Sequence, residues 1–424
     1  MANLIGARIE RKEDKKFLTG KGRYTADINL LNQTYAYFVR SPHARAKITN
    51  IDLSKAIKAP GVIDVFTGDS MIKNKIGGLI CGWKIVSQDG NDMKCPTHPV
   101  LANNSVNFVG DHVAVVIAET LEQAKIGADL INVSYKIQKA VINTANAMDF
   151  ENIHDGIDNN LSFDFALGDK GKTLEAFLKA DKVIKIDLVN NRLIPNAMEP
   201  RAAIGDYNSS SDLLTLYTAS QNPHLDRLIM SAFNAVHPEH KFRIVAPDVG
   251  GGFGSKINVY AEDVVVAFAS KQIGRPVKWV AERSESFMSD NHGRDHVTHA
   301  ELAVLNDGKI TGLKVDTIAN LGAYSLVLAA VTPTYLYAPL LLGVYDIPTA
   351  FCTVKGVYTN TAPTDAYRGA GRPEATYVIE RIVTKAAKEI GMDQAEFRKK
   401  NFITKFPHQQ CLVHNIDSGD YNAH

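Results

Sequence analysis

The 424-residue sequence is 45% apolar and 22% charged, enough hydrophobic side chain to bury real cores, which excludes a disordered or fibrous chain. Its 47 basic and 46 acidic residues leave a formal net charge of +1, which argues against nucleic acid or an anionic membrane as the main partner. The four cysteines, Cys81, Cys95, Cys352 and Cys411, are scattered without a Cys-x-x-Cys pair, so neither a disulfide framework nor a cysteine-ligated iron–sulfur cluster is expected.

Residues 1–16 alternate charges and lack an apolar run of secretory type. The longest apolar stretch, 326–345, is interrupted by Thr332, Pro333, Thr334 and Pro339. A membrane-spanning helix needs roughly 20 apolar residues in a row, so this stretch reads as buried strands and turns. A cytoplasmic protein without a membrane span is expected.

In chain order, 34–40 (TYAYFVR) and 107–118 (NFVGDHVAVVIA) are rich in aromatic and β-branched residues and read as strands. Thr120, with Gln123 three positions on, has capping-box spacing and opens a helix whose Leu121, Ala124, Ala128 and Ile131 share a face. A polar segment rich in Asn and Asp, 143–160, marks a domain boundary near residue 145, giving segments 1–145 and 146–424. Leu213 to Thr218 reads as a strand, and Asn222-Pro223 as the cap and first residue of a helix. A further strand, 242–249, is expected to run straight into Gly250-Gly251-Gly252-Phe253-Gly254-Ser255-Lys256 and then a helix ending at Gly274. Tyr367-Arg368-Gly369-Ala370-Gly371-Arg372 precedes Pro373 and a helix to about Gly391.

These two glycine loops are the main chemical signal. Glycines admit positive φ and bring backbone amides close to a ligand. A helix start would add free N–H groups and the positive end of a dipole, an anion socket, with Lys256 and Arg368 as cations beside it. The P-loop pattern fails because Ser255 precedes the lysine, and G-x-G-x-x-G fails at Ser255 or Ile257. Anion binding and plain turn-making both remain open at this stage.

Other constellations are weaker. His292, His296 and His299 have metal-like spacing, but the alternating strand pattern that follows would point His296 and His299 to opposite faces. Cys95 and His98 form one isolated Cys-x-x-His, structural or incidental on this reading. Glu285, Asp290 and Asp295 read as a solvated loop, and no serine sits in a nucleophile elbow.

Residues 250–256 (GGGFGSK) and 366–375 (AYRGAGRPEA) resemble the molybdopterin-binding large subunits of the xanthine dehydrogenase and aldehyde oxidase family, in particular its bacterial carbon monoxide dehydrogenase-like members. The motifs LTGKGRY at 18–24, RSPHA at 40–44, ASQNP at 219–223 and GRDHV at 293–297 extend the resemblance along essentially the whole chain. The resemblance implies an α+β fold, with an α/β hammerhead domain followed by the first part of a molybdenum-cofactor domain. It implies a molybdenum hydroxylase, using water to hydroxylate an aldehyde or N-heteroaromatic substrate, with electrons leaving through 2Fe-2S and FAD partner subunits. The pterin dithiolene, not a side chain, would hold the metal, the pterin being of the cytosine dinucleotide form in the bacterial relatives.

Carried over residue by residue, Gln221 would hydrogen-bond an oxo ligand of the metal. Gly251, Gly252, Phe253 and Gly254 would line the cofactor, and Arg368 with Gly369 would stabilise its anionic parts. Three departures disfavour a purine: Ile257 replaces a glutamate, Leu336 an arginine and Ala370 a phenylalanine. Gly369 stands where carbon monoxide dehydrogenases place a copper-binding cysteine. Family subunits continue past the segment resembled by 417–421 into a second cofactor domain that carries the general-base glutamate. The chain is therefore expected to be a fragment or one half of a split subunit, with a separate C-terminal half as partner, and inert alone. A carbon monoxide dehydrogenase-type subunit, a non-catalytic fragment keeping the fold, and an unrelated phosphate binder are the competing readings.

Overall fold

The strand His112–Ala118 (HVAVVIA) is buried along its whole length, as expected of a β-branched run covered on both faces. The computed structural model describes residues 5–406 and 408–412; the 417–421 motif lies outside the described residues. His112–Ala118 pairs antiparallel with Thr34–Arg40 and Val62–Thr67. Thr34–Arg40 in turn lies parallel to Val277–Val280, with Thr34 opposite Val277. Ala202–Asn208, Leu213–Thr218 and Phe242–Val245 complete a seven-stranded sheet in which the strands before and after residue 145 meet at one seam, Thr34–Arg40 beside Val277–Val280.

The helix Ala261–Ile273 lies on this sheet and is buried nearly all round, from Ala261 to Ser270 except Asp263. That is wider than the single face its pattern suggests, as for any helix enclosed in a core. Gly274 ends it in the left-handed conformation. A five-stranded sheet follows, in the order Leu161–Gly168, Ala350–Tyr358, Ile310–Gly322, His296–Val304, Lys182–Asn190. The helix Arg372–Ile390 packs on its Lys182–Asn190 end, closed by a left-handed Gly391. A small third sheet joins Ala46–Asp52 to Ser105–Val106 and Asn132–Ile137.

Local signals gave several boundaries. Thr34–Arg40 and Leu213–Thr218 are strands as read, and Thr120 caps Leu121–Asp129 by accepting from the Gln123 N–H. Pro223 opens Pro223–Ala232, although the Asn222 side chain makes no capping bond. Other expectations need correction. The strand expected over 242–249 stops at Val245, and that over 107–118 begins at His112. The 326–345 stretch is buried but holds turns and a short 3₁₀ segment, Ala338–Leu340, and no strand. Among the described residues, no helix is long and apolar enough to cross a membrane.

Candidate active site

The loop after Leu213–Thr218 carries Gln221. Below it the Ser220 hydroxyl donates to the buried Asp226 carboxylate and accepts the Asn222 N–H at 3.0 Å. Burial pushes the Asp226 carboxyl up to about 8. The Gln221 N–H donates to the Lys256 carbonyl at 2.8 Å. Its side-chain oxygen accepts from the N–H groups of Gly254 at 2.9 Å and Lys256 at 3.4 Å. Two backbone donors demand an acceptor, so the amide orientation is fixed. The Nε2 donor has no partner among the described residues and belongs to an exposed side chain.

The glycine loop closes over this amide and against the second loop. Gly254 has φ +106°, and a Cβ there would lie 2.0 Å from the Ala366 carbonyl oxygen. One residue back, the Phe253 carbonyl accepts the Arg368 N–H at 2.9 Å, and the Arg368 guanidinium lies 5.6 Å from the centre of the Phe253 ring. Arg294 fixes the second loop from behind, donating to the carbonyls of Tyr367 and Arg368 at 3.0 Å each while pairing with Glu374 at 2.8 Å. Gln221, Phe253, Arg368 and Gly369 are all exposed on this assembly. The Arg368 guanidinium has no carboxylate partner among the described residues, unlike the guanidinium groups of Arg192, Arg201 and Arg294. The structure thus brings together every residue singled out from the two loops.

Backbone strain is present here, as at several turns elsewhere. Phe253 (φ 55°), Arg294 (φ 65°), Asp295 (φ 66°) and Ala370 (φ 37°) are non-glycine residues in the left-handed region. Such strain persists only where surrounding contacts impose it, and it clusters at ligand clamps. Phe253→Gly is expected to raise stability by about 1 kcal/mol by removing that strain. It should also lower retention of any ligand that needs the Phe253 ring. Urea unfolding and a ligand-content assay on the same preparation read the two effects.

Three expectations about charges and helix ends fail. Lys256 is not a free cation: its ammonium is buried against Glu199 at 2.7 Å, and burial lowers its pKa despite that partner. The first glycine loop does not lead into a helix start. Gln221 holds 254–256 in a turn, the Tyr260 hydroxyl donates to the Ser255 carbonyl at 2.7 Å, and the helix begins only at Ala261. Only the second loop abuts a helix N-terminus, at Arg372, with Pro373 in the first turn.

Nor are Glu285 and Asp290 solvated. Both are buried, Asp290 on Arg201 at 2.6 Å and Glu285 on Arg40 at 3.0 Å. Glu262, fully buried, joins them, accepting from Arg201 at 3.0 Å, Arg40 at 2.8 Å and His112 at 2.9 Å. Burial alone would raise the Glu262 carboxyl; Arg201, His112 and Arg40 outweigh it and hold the group well below the usual carboxylate range. Asp295 is half-buried on Arg192 at 2.8 Å.

His296 is buried, and His299 on the opposite face meets Asp187 at 2.7 Å. Burial pushes His292 down to about 4. Among the described residues, no three His, Cys, Asp or Glu side chains gather as a metal site. Sequence reasoning missed the roles of Arg294, Glu199 and Glu262. The signal for Arg294 lay inside the GRDHV motif, but its partners come from another segment.

Residues 19–139 match the aldehyde oxidase and xanthine dehydrogenase a/b hammerhead domain, and residues 153–402 the molybdopterin cofactor-binding domain. The carbon monoxide dehydrogenase large chain of Hydrogenophaga pseudoflava is 35% identical over 433 residues, covering 97% of this chain and 52% of that one. The nicotinate dehydrogenase large molybdopterin subunit of Eubacterium barkeri is 28% identical over 400 residues, covering 94% of this chain and 89% of that one. The solved quinoline 2-oxidoreductase from Pseudomonas putida 86 superposes with a TM-score of 0.89 at 30% identity, over 96% of this chain and 51% of that one. The chain therefore spans about half the length of the first and third of these relatives. Hammerhead and cofactor-binding matches in this order, over a fold of the same shape, place the chain in the family of molybdopterin-binding large subunits of the xanthine dehydrogenase and aldehyde oxidase type.

Proposed function

We propose that the cradle formed by Gln221, residues 251–254 and Arg368 holds a molybdopterin cofactor, and that the chain is part of a molybdenum hydroxylase acting on an N-heteroaromatic or aldehyde carbon. The observation that carries this is that an amide donor without a partner and a guanidinium without a carboxylate, among the described residues, are both exposed on loops joined through the Phe253 and Gly254 backbone. An anionic pterin with an oxo-bearing metal asks for that donor set. When bound, the group supplies the redox chemistry that inserts a water-derived oxygen into a carbon–hydrogen bond.

The chain's own residues bind and orient. Gln221 would present Nε2 to the cofactor's anionic side, its own oxygen being occupied by Gly254 and Lys256. Gly251 and Gly252 would let backbone approach the cofactor, Gly254 would hold the loop against Ala366, and the exposed Phe253 ring would shield the bound group. Arg368 and the N–H of Gly369 complement its negative charge. Electrons would leave through iron–sulfur and FAD subunits, in a cytoplasmic complex, with the pterin in its cytosine dinucleotide form.

An N-heteroaromatic ring is favoured over carbon monoxide. The nicotinate and quinoline enzymes above act, by their names, on such rings. The position of the copper-ligating cysteine is Gly369 at φ +95°, where a Cβ would also meet Pro373 at 2.7 Å. A cysteine is therefore strained at that point as well as absent.

The test is co-production with the iron–sulfur and FAD chains and the remainder of the large subunit. Molybdenum and pterin are measured by elemental analysis and fluorescence, and turnover is measured with quinoline, a simple aldehyde and carbon monoxide. Near-stoichiometric metal and turnover of the ring or the aldehyde are expected. Arg368→Met should lower pterin affinity about 10- to 100-fold, the value of one charge-assisted hydrogen bond. A metal-free complex, or an Arg368→Met variant that retains pterin fully, would overturn the assignment.

A further inference from the structure

The loop 250–256 has four glycines in seven residues, and glycine gives up more backbone freedom on ordering than any other residue. A loop of that composition stays shut only if both ends are held. The Gln221 oxygen secures Gly254 and Lys256 at the far end. The near end is held by Glu199, 51 residues upstream of Gly250.

Glu199 and Gly250 exchange two bonds. The Glu199 N–H donates to the Gly250 carbonyl at 3.2 Å, and the Gly250 N–H donates to Glu199 Oε2 at 2.7 Å. The same Oε2 accepts the Lys256 ammonium at 2.7 Å. One carboxylate oxygen therefore ties the first residue of the loop to the last. The Lys256 carbonyl in turn accepts the Gln221 N–H at 2.8 Å, so the closed loop and the Gln221 amide form one unit. The Lys256 side chain is 1% exposed and that of Glu199 11%, so water competes little for these charge-assisted bonds. Glu199 Oε1 is buried and takes no hydrogen bond among the described residues, which leaves Oε2 to carry the side-chain attachment.

The contact is close as well as charged. A Cβ on Gly250 would lie 2.5 Å from the Glu199 Cβ, and one on Gly251 would lie 3.5 Å from the Ala197 Cβ, so 197–199 is the floor under the loop. That floor is fixed on both sides. Arg283 donates to the Asn196 side-chain oxygen at 2.8 Å and to the Met198 carbonyl at 2.9 Å. Arg201, two residues beyond Glu199, is locked onto Glu262 and Asp290. The buried ion cluster is thereby connected to the cradle through 199–201.

We propose that Glu199 is a positioning residue for the cofactor cradle: it closes 250–256 on itself, and so aims the Gln221 amide and the Phe253 carbonyl that holds the Arg368 N–H. Its role toward a cofactor rests on the reading that the cradle holds a pterin, whereas the closure of the loop does not.

The test compares the parent, Glu199→Gln, and Glu199→Gln combined with Lys256→Met. The single variant keeps the side-chain shape but leaves the buried ammonium without its counter-charge; the double variant removes that charge too. Backbone hydrogen exchange over 250–256, read by mass spectrometry on the full chain without cofactor, should be about 10- to 100-fold faster in both variants, the value of one charge-assisted hydrogen bond. In the double variant the helix Ala261–Ile273 should exchange as in the parent. If Glu199 only balances a buried charge, the double variant regains parent exchange over 250–256 as well, and the proposal falls. It also falls if acceleration spreads evenly through Ala261–Ile273. Should the single variant not fold, the double variant decides alone. In the complex assembled with the iron–sulfur and FAD chains and the remainder of the large subunit, pterin fluorescence should show release about 10- to 100-fold faster from the double variant. Parent-like retention with a loosened loop would overturn the positioning role. A parent complex that carries no pterin would overturn the cofactor reading instead, with loop closure still decided by the exchange result.

Discussion

Glu262→Gln is expected to destabilise the fold by about 3–5 kcal/mol, the usual result of removing one member of a buried ion cluster. Glu262 has no exposed surface, and its two oxygens take Arg201 from both sides, with Arg40 and His112 on one of them. A neutral amide would leave two buried guanidinium groups with too few acceptors, since Asp290 and Glu285 meet only part of their need. The pH dependence should change as well. A carboxyl held well below its ordinary 4.5 stabilises the fold above that value, and the contribution is lost as pH falls through the folded-state pKa. The variant should therefore lose part of the acid-side slope of the stability profile. Urea unfolding between pH 2 and pH 8 measures both effects, the lost slope lying below pH 4.5. Glu175→Gln, on an exposed position, serves as the control and should stay within about 0.5 kcal/mol of the parent.

Gly254→Ala should disable the cradle. The added methyl would sit 2.0 Å from the Ala366 oxygen on a backbone at φ +106°, so the two loops must separate. Overpacking and strain together predict a loss of about 2–4 kcal/mol. Separation would also break the Arg368 N–H to Phe253 carbonyl bond and release the Gln221 amide. Pterin retention in the assembled enzyme should fall below detection, whereas Gly274→Ala, where a Cβ meets nothing within 4 Å, should keep it. Retention unchanged in Gly254→Ala would mean that the loops do not hold the cofactor.

What could be read from sequence was what local chemistry decides. The strand Leu213–Thr218, the proline at the start of Pro223–Ala232 and the terminal glycines Gly274 and Gly391 are set by neighbours a few residues away. The strand over 242–249 failed because Pro247 cannot donate to a ladder and Asp248 turns away to the Arg23 N–H at 2.8 Å and to Lys16. Glu285 and Asp290 looked solvated because their cations, Arg40 and Arg201, lie on strands or loops far along the chain. Lys256 looked available for the same reason, Glu199 being invisible beside it in sequence. The site residues Gln221, Phe253 and Arg368 were legible through motifs, and their convergence is a property of the loops that close on Gly254.

The seam in the seven-stranded sheet, Thr34–Arg40 beside Val277–Val280, sets an order of events during synthesis. Thr34–Arg40 emerges from the ribosome early, yet one of its two edges waits for Val277–Val280, which is inserted between it and Ala202–Asn208. Until then the hydrogen-bonding edge of Thr34–Arg40 is open to the wrong partner. Pairings this distant are slow to form and exposed to aggregation in the interval. A nascent chain stalled before residue 277 should therefore recruit holding chaperones, and the N-terminal piece expressed by itself should precipitate.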